Sequence, residues 1–208
     1  MKRSSLFLTS IYCLMLVSLS ACSPKPQTDC GYVQNVYGER ISWKGHTAIV
    51  MKLHESVPKE YEAAIIDAAN SWNRSAGKTV ISIDLASRVT GPIEARKDTE
   101  NVIYFYPTWE ADKPMEQART SIYWRGDLIE EADMRINAMN FTYYVKDNNR
   151  SVPAGAINIE ALVVHEMGHV LGLKHNDASA SVMATYLQSG VDRVQLTEND
   201  ITSLKCEY

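Results

Sequence analysis

Residues 165–175 read His165-Glu166-Met167-Gly168-His169-Val170-Leu171-Gly172-Leu173-Lys174-His175, and no other stretch constrains the fold as tightly. His165 and His169 are four apart, so a helix through them puts both imidazoles on one face, where they can grip a single metal ion. Glu166 stands beside them, placed to take a proton from a water on that metal. Gly172 can adopt the left-handed backbone that ends a helix and turns the chain, so that His175 supplies a third nitrogen. Three neutral imidazoles leave one corner of a tetrahedral zinc open, which marks a catalytic rather than a structural site. From ordinary residue usage, chance would align the five fixed positions on the order of once in 10⁵ chains of this length.

The motif resembles that of the metzincin zinc peptidases. A second element carries the same likeness: in Ser181-Val182-Met183-Ala184, Met183 matches the methionine of the family's Met-turn, an apolar floor beneath the metal. The likeness covers about residues 40–208 and is closest to small bacterial matrixin-like proteins. It implies an α+β fold, a twisted mixed five-stranded sheet with an active-site helix and a C-terminal helix, and a cleft between the sheet edge and the Met-turn segment. It also implies hydrolysis of a protein or peptide substrate, with one catalytic zinc on His165, His169 and His175 and Glu166 as the general base. By the same analogy Ala118–Trp124 is the edge strand along which a substrate lies. Thr185, Tyr186 and Leu187 fall where the family builds the wall of a specificity pocket, with a buried apolar cluster as the equal alternative. Two departures stand out. Matrixins usually have serine after the third histidine, where this chain has Asn176; and the tyrosine that reaches the metal in the astacin and serralysin branches lies two residues past the methionine, whereas Tyr186 lies three past Met183 and is not counted as a ligand. The histidine-rich loop that holds a second, structural zinc in animal matrixins has no counterpart.

The N-terminus has Lys2 and Arg3, then an apolar stretch from Leu6 to Leu19, then small residues. That is the pattern of an export signal, too short for a stable spanning helix. Its end, Leu19-Ser20-Ala21-Cys22, resembles a bacterial lipobox, cleaved before a cysteine that is then acylated; a signal peptide cut nearby, with Cys22 free, is the alternative. Acyl chains would hold the protein firmly, at about 0.8 kcal/mol per buried CH₂. Ser23 is not the aspartate associated with inner-membrane retention. The expected location is therefore the bacterial cell envelope, at the outer membrane where the host has two, facing periplasm or exterior. The boundaries drawn are 1–21 for the signal, 22–38 for the lipidated cysteine, tether and N-terminal segment, and 39–208 for the peptidase-like domain. Removing residues 1–21 leaves 19 basic against 25 acidic residues, a formal charge of −6. Without a basic stripe, nucleic acid is not an expected partner; a monomer is expected.

Of the remaining cysteines, Cys30 and Cys206 stand near opposite ends of the domain, and an oxidising compartment favours their pairing. The competing idea is that Cys30, in Asp29-Cys30-Gly31, acts as a latency thiolate on the zinc. The prolines, arginine and aspartate of the matrixin switch motif are missing around it.

Periodicity predicts strands over Glu39–Trp43 and Ala48–His54, with Lys44-Gly45 as the turn between them. An amphipathic helix follows from near Pro58 to Gly77, burying Tyr61, Ala64, Ile65, Ala68, Ala69 and Trp72. Val80–Leu85, Val102–Tyr106, Ala118–Trp124 and Ala132–Asn137 read as further strands. Tyr143 and Tyr144 either extend the sheet or cover it. Asn158 is placed to cap a buried helix over Ile159–Leu171, and Thr197-Glu198-Asn199-Asp200 resembles a capping box opening a last helix to about Lys205.

His46 and His54 are expected to be surface or satisfied residues. Asp127, Glu130, Glu131 and Asp133 form an acidic stretch; calcium suits such oxygens, but a solvated acidic turn is the favoured reading. The alternative to an enzyme is a non-catalytic zinc-binding envelope lipoprotein that keeps the fold as a binding module. Loss of Glu166 or of a ligand would support it, and all four residues are intact.

Overall fold

The computed structural model describes residues 25–45, 47–147, 149–177 and 180–208. Cys22, the signal-like segment and His46 lie outside the described residues. The chain runs β1 (Ile49–His54), α1 (Glu62–Ala76), β2 (Ile81–Val89), β3 (Val102–Tyr106), β4 (Ala118–Arg125), β5 (Leu128–Asn137), β6 (Tyr143–Tyr144), β7 (Ile157–Asn158), α2 (Ile159–Val170) and α3 (Glu198–Leu204). Five strands form one sheet in the order β2-β1-β3-β5-β4. All its pairings are parallel except β4 with β5. The fold is therefore the α+β arrangement that the resemblance implies.

Helix α1 crosses from β1 to β2 and lays its apolar stripe on the sheet. Ala64, Ile65, Ala68, Ala69 and Trp72 are all buried, as the spacing requires. Burying each large side chain contributes roughly 1.5–3 kcal/mol. Gly77 ends the helix with φ of 69°, a conformation that costs other residues more. Trp72 reaches from α1 to α2, where its Nε1 donates to Val164 O at 2.9 Å.

Two expectations need correction. Glu39–Trp43 is not a strand. It makes isolated bridges, Gln34 with Arg40 and Ser42 with Leu128, because neighbouring turns leave it no room for a continuous ladder. The last central strand starts at Leu128, not Ala132: a two-residue turn at Gly126-Asp127 lets Leu128 and Ile129 pair at once with β4. The acidic stretch is thus largely strand. Of the two readings for Tyr143 and Tyr144, covering the sheet holds: they pair with Ile157 and Asn158 in a separate two-stranded ribbon, and Tyr143 packs edge-on against Phe105 of β3.

Glu131 and Asp133 are each 1% exposed, contrary to the solvated turn expected for them. They sit on one face of β5, under the segment that leads into β3. Glu131 accepts from Asp98 N and Thr99 N, and Asp133 Oδ1 accepts from Val102 N at 3.0 Å. Burial pushes the Asp133 carboxyl up to about 7. The other two acids point elsewhere, Asp127 to Lys44 and Glu130 to Lys97 and Arg125. The four carboxylates thus have separate partners. His54 is buried too. Its Nδ1 accepts from Ser56 N, and its Nε2 has no hydrogen-bond partner among the described residues.

Candidate metal centre

Ten of the twelve residues of α2 are buried, as expected of a helix apolar nearly all round. Asn158 caps its start by accepting from Glu160 N and Ala161 N. The carbonyls at its other end, which have no partner within a helix, are met from distant parts of the chain. Trp43 Nε1 donates to Val170 O and Tyr208 Oη to Leu171 O. Gly172, with φ of 100°, turns the chain back. A Cβ there would lie 2.3 Å from Ile41 O, so glycine is required by both conformation and space. Residues 31–33 then hold the returning strand, with Val33 N donating to Gly172 O and Lys174 N to Gly31 O.

The turn delivers His175 to the two helical histidines. His169 Nε2 lies 3.2 Å from His165 Nε2 and 3.2 Å from His175 Nε2. His165 Nδ1 donates to Val182 O at 2.8 Å, and His169 Nδ1 to Leu173 O at 2.7 Å. A carbonyl can only accept, so the proton of each ring sits on Nδ1 and its Nε2 presents a lone pair. Those lone pairs converge with no proton between them, an arrangement that repels unless a cation sits among them. Burial, and then the neighbouring imidazoles, push His165 down to about 3. His169 and His175 are likewise lowered, first by burial. Neutral, preoriented imidazoles are what zinc requires, so the donor set fits the ion. It is the one such cluster of metal-binding side chains among the described residues.

Met183 lies beneath this group, 2% exposed. A Cβ on Gly168 would fall 2.1 Å from its Sδ and 3.0 Å from Trp72 Cζ2. The glycine inside the histidine motif therefore makes room for the methionine. Asp200, in the capping box of α3, also accepts from Ser181 Oγ and Val182 N, tying the turn to the last helix. Asn176 N donates to Met183 O at 2.8 Å, joining the third histidine's loop to the same turn.

Glu166 is 4% exposed and opens onto a cleft of about 570 Å³ that the three histidines also line. Burial pushes its carboxyl up to about 7, opposed first by a hydrogen bond from Thr120. Thr120 Oγ1 donates to Glu166 Oε2 at 2.7 Å, a contact that motif reading did not find. Strand alternation held a signal for it: Ala118 and Ile122 pack against the core, and Thr120 is the polar residue between them on that face. β4 is the edge of the sheet, and Thr185, Tyr186 and Leu187 line the cleft opposite it. Leu187 is buried, while Tyr186 is exposed. Gln117 Nε2 donates to Leu187 O, and Arg193 Nη2 to Ala184 O and Tyr186 O; both hold the wall in place. Cys30 is bonded to Cys206, so its sulfur is not a free thiolate, contrary to the latency idea.

Sheet order, histidine geometry and methionine turn together define a metzincin-type fold. Comparison with known proteins is more specific: the matrixin family model matches residues 25–208, and the chain belongs to that family. It is 37% identical over 62 residues to metalloendoproteinase 2-MMP of Arabidopsis thaliana, a match covering 30% of this chain and 16% of the relative. It is 32% identical over 63 residues to metalloendoproteinase 1-MMP of the same plant, covering 30% and 17%. The matched stretch thus spans about a sixth of the length of either relative.

Proposed function

We propose that this protein is a zinc-dependent endopeptidase, held at the bacterial cell envelope by lipid on Cys22. The observation that carries the activity is the convergence of three histidine Nε2 atoms, those of His165 and His169 with their lone pairs turned inward, beside a buried carboxylate on an open cleft. A zinc ion on His165, His169 and His175 would polarise a scissile carbonyl and lower the pKa of water from about 15.7 towards about 7. Glu166 takes the proton of the attacking water and returns it to the departing amine, acting first as general base and then as general acid. Thr120 fixes the carboxylate for that transfer. The free edge of β4 pairs with the backbone of an extended substrate, whose side chains fall into pockets such as the one walled by Thr185, Tyr186 and Leu187.

The relatives' names support peptide hydrolysis, and the lipobox-like run before Cys22 supports the anchor. Metal analysis and peptide-library cleavage on wild type and His169→Ala test the reading. Wild type should hold one zinc and cut; the variant should lose most of both, because two imidazoles make a poor site. Equal zinc in the two proteins would overturn it.

A further inference from the structure

Four large apolar side chains stand in water at one end of the molecule: Val36 at 93% exposure, Tyr37 at 60%, Trp124 at 47% and Leu128 at 40%. Val36 and Tyr37 form the tip of the turn Asn35–Gly38, and Trp124 and Leu128 flank the turn between β4 and β5. Asn35 Nδ2 donates to Gly126 O at 3.1 Å, so the two turns touch. The first is stiff. Gly38 N donates to Asn35 O, and Tyr37 N and Glu39 N both donate to Asn35 Oδ1, which keeps Val36 and Tyr37 pointing outward.

The incoming chain is pinned to the same place. Gln27 N donates to Gly38 O at 2.8 Å, Gln34 Nε2 donates to Gln27 O, and Pro26 packs against Gly38. Cys22 precedes Lys25 by three residues, a span of at most about 11 Å when fully extended. A lipid on Cys22 therefore holds this end of the molecule close to the bilayer. Trp and Tyr partition into the membrane interface, and apolar side chains on both faces of the hairpin tip and on the neighbouring turn would leave water there. Lys25 is exposed beside it, a charge that anionic headgroups attract; Arg125 is exposed too but pairs with Glu130.

We propose that the Asn35–Gly38 turn and the β4–β5 hairpin tip form a bilayer-contact face, with Val36, Tyr37, Trp124 and Leu128 seated in the interface of the membrane that holds Cys22. The inference rests on the lipoprotein reading. The two contacts together fix the orientation of the domain, which would otherwise swing on its tether.

The test uses the full chain, produced with its own signal in a bacterial host. It is reconstituted in phosphatidylethanolamine–phosphatidylglycerol vesicles with plain or brominated acyl chains. Mass spectrometry reports acylation of Cys22, and bromine quenches tryptophan only at the bilayer. Trp124 is the exposed tryptophan among the described residues; Trp72 is buried, and Trp43 and Trp109 are partly so. Brominated lipid should remove emission equivalent to one tryptophan of the four in the chain. Trp124→Phe should abolish that loss, and Val36→Ser with Tyr37→Ser should reduce it. Acylated protein with no bromine-dependent loss, or with a loss that survives Trp124→Phe, overturns the contact face while the anchor stands. An unacylated Cys22 overturns the anchor and this inference with it.

Discussion

Thr120 and Glu166, on the edge strand and the buried helix respectively, are joined by a hydrogen bond of 2.7 Å from Oγ1 to Oε2. It opposes the burial that pushes Glu166 up, because a donor aimed at a carboxylate favours its ionised form. One hydroxyl thus links the strand proposed to bind substrate to the group proposed to move the proton.

Removing that donor should slow the enzyme without emptying it. A hydrogen bond to a charged group contributes about 1.5–3 kcal/mol, so Thr120→Val should lose about 10- to 100-fold in kcat while keeping its zinc. The sign of the pH effect follows from the bond's role. Without it Glu166 ionises at higher pH, and a base acts only when ionised, so the acid limb of the kcat profile should move up. Thr120→Ser should restore both. A Thr120→Val enzyme with wild-type rate and profile would show that the bond is idle.

Gly168 tests the packing under the metal group. Alanine is ordinarily the better helix residue by about 1 kcal/mol, yet here its Cβ would meet Met183 Sδ at 2.1 Å. Overpacking of this kind costs about 1–3 kcal/mol, and Trp72 on the far side is buried and fixed. Gly168→Ala should therefore lower the denaturation midpoint, and it should cost less in a Met183→Ala background than in wild type, because the clash is then gone. A Gly168→Ala protein as stable as wild type would mean that the turn yields freely.

Asp133 makes stability depend on pH. Its folded-state pKa of about 7 stands above the ordinary 3.8, so the folded protein holds a proton that the unfolded chain has released. The stabilising contribution is complete below about pH 4 and is lost as pH rises through 7. Asp133→Asn removes this dependence. The difference in Tm between variant and wild type should shift in the variant's favour from pH 4 to pH 8. A constant difference would mean that Asp133 ionises normally. Repeating the scan with added calcium separates a metal-binding acid from one held by backbone N–H groups.

The metal group was legible in sequence because it is local. His165, Glu166 and His169 share a helix whose spacing fixes their directions, and Gly172 and Met183 follow at short range. Capping residues Asn158 and Thr197 could be read for the same reason, since each acts within its own first turn. Ala118–Trp124 was placed at the sheet edge by family likeness, not by its own pattern. What sequence missed depends on partners far along the chain. Thr120 has its function only through Glu166, 46 residues away. Glu131 and Asp133 looked solvated because acids usually are, but the segment from Asp98 to Val102 covers them with backbone donors. Glu39–Trp43 carries a strand's alternation yet meets only single bridging residues.

Glu166→Gln tests the central claim most directly. Glutamine keeps the size of the side chain and can still accept from Thr120, but it cannot take the water's proton. Zinc content and hydrolysis of a peptide substrate are measured on the same preparations of wild type and variant. Zinc should be retained, since Glu166 is not among the converging nitrogens, while hydrolysis should fall by at least the roughly 10²–10⁴-fold of a positioned general base. A variant that cleaves as fast as wild type would contradict the account.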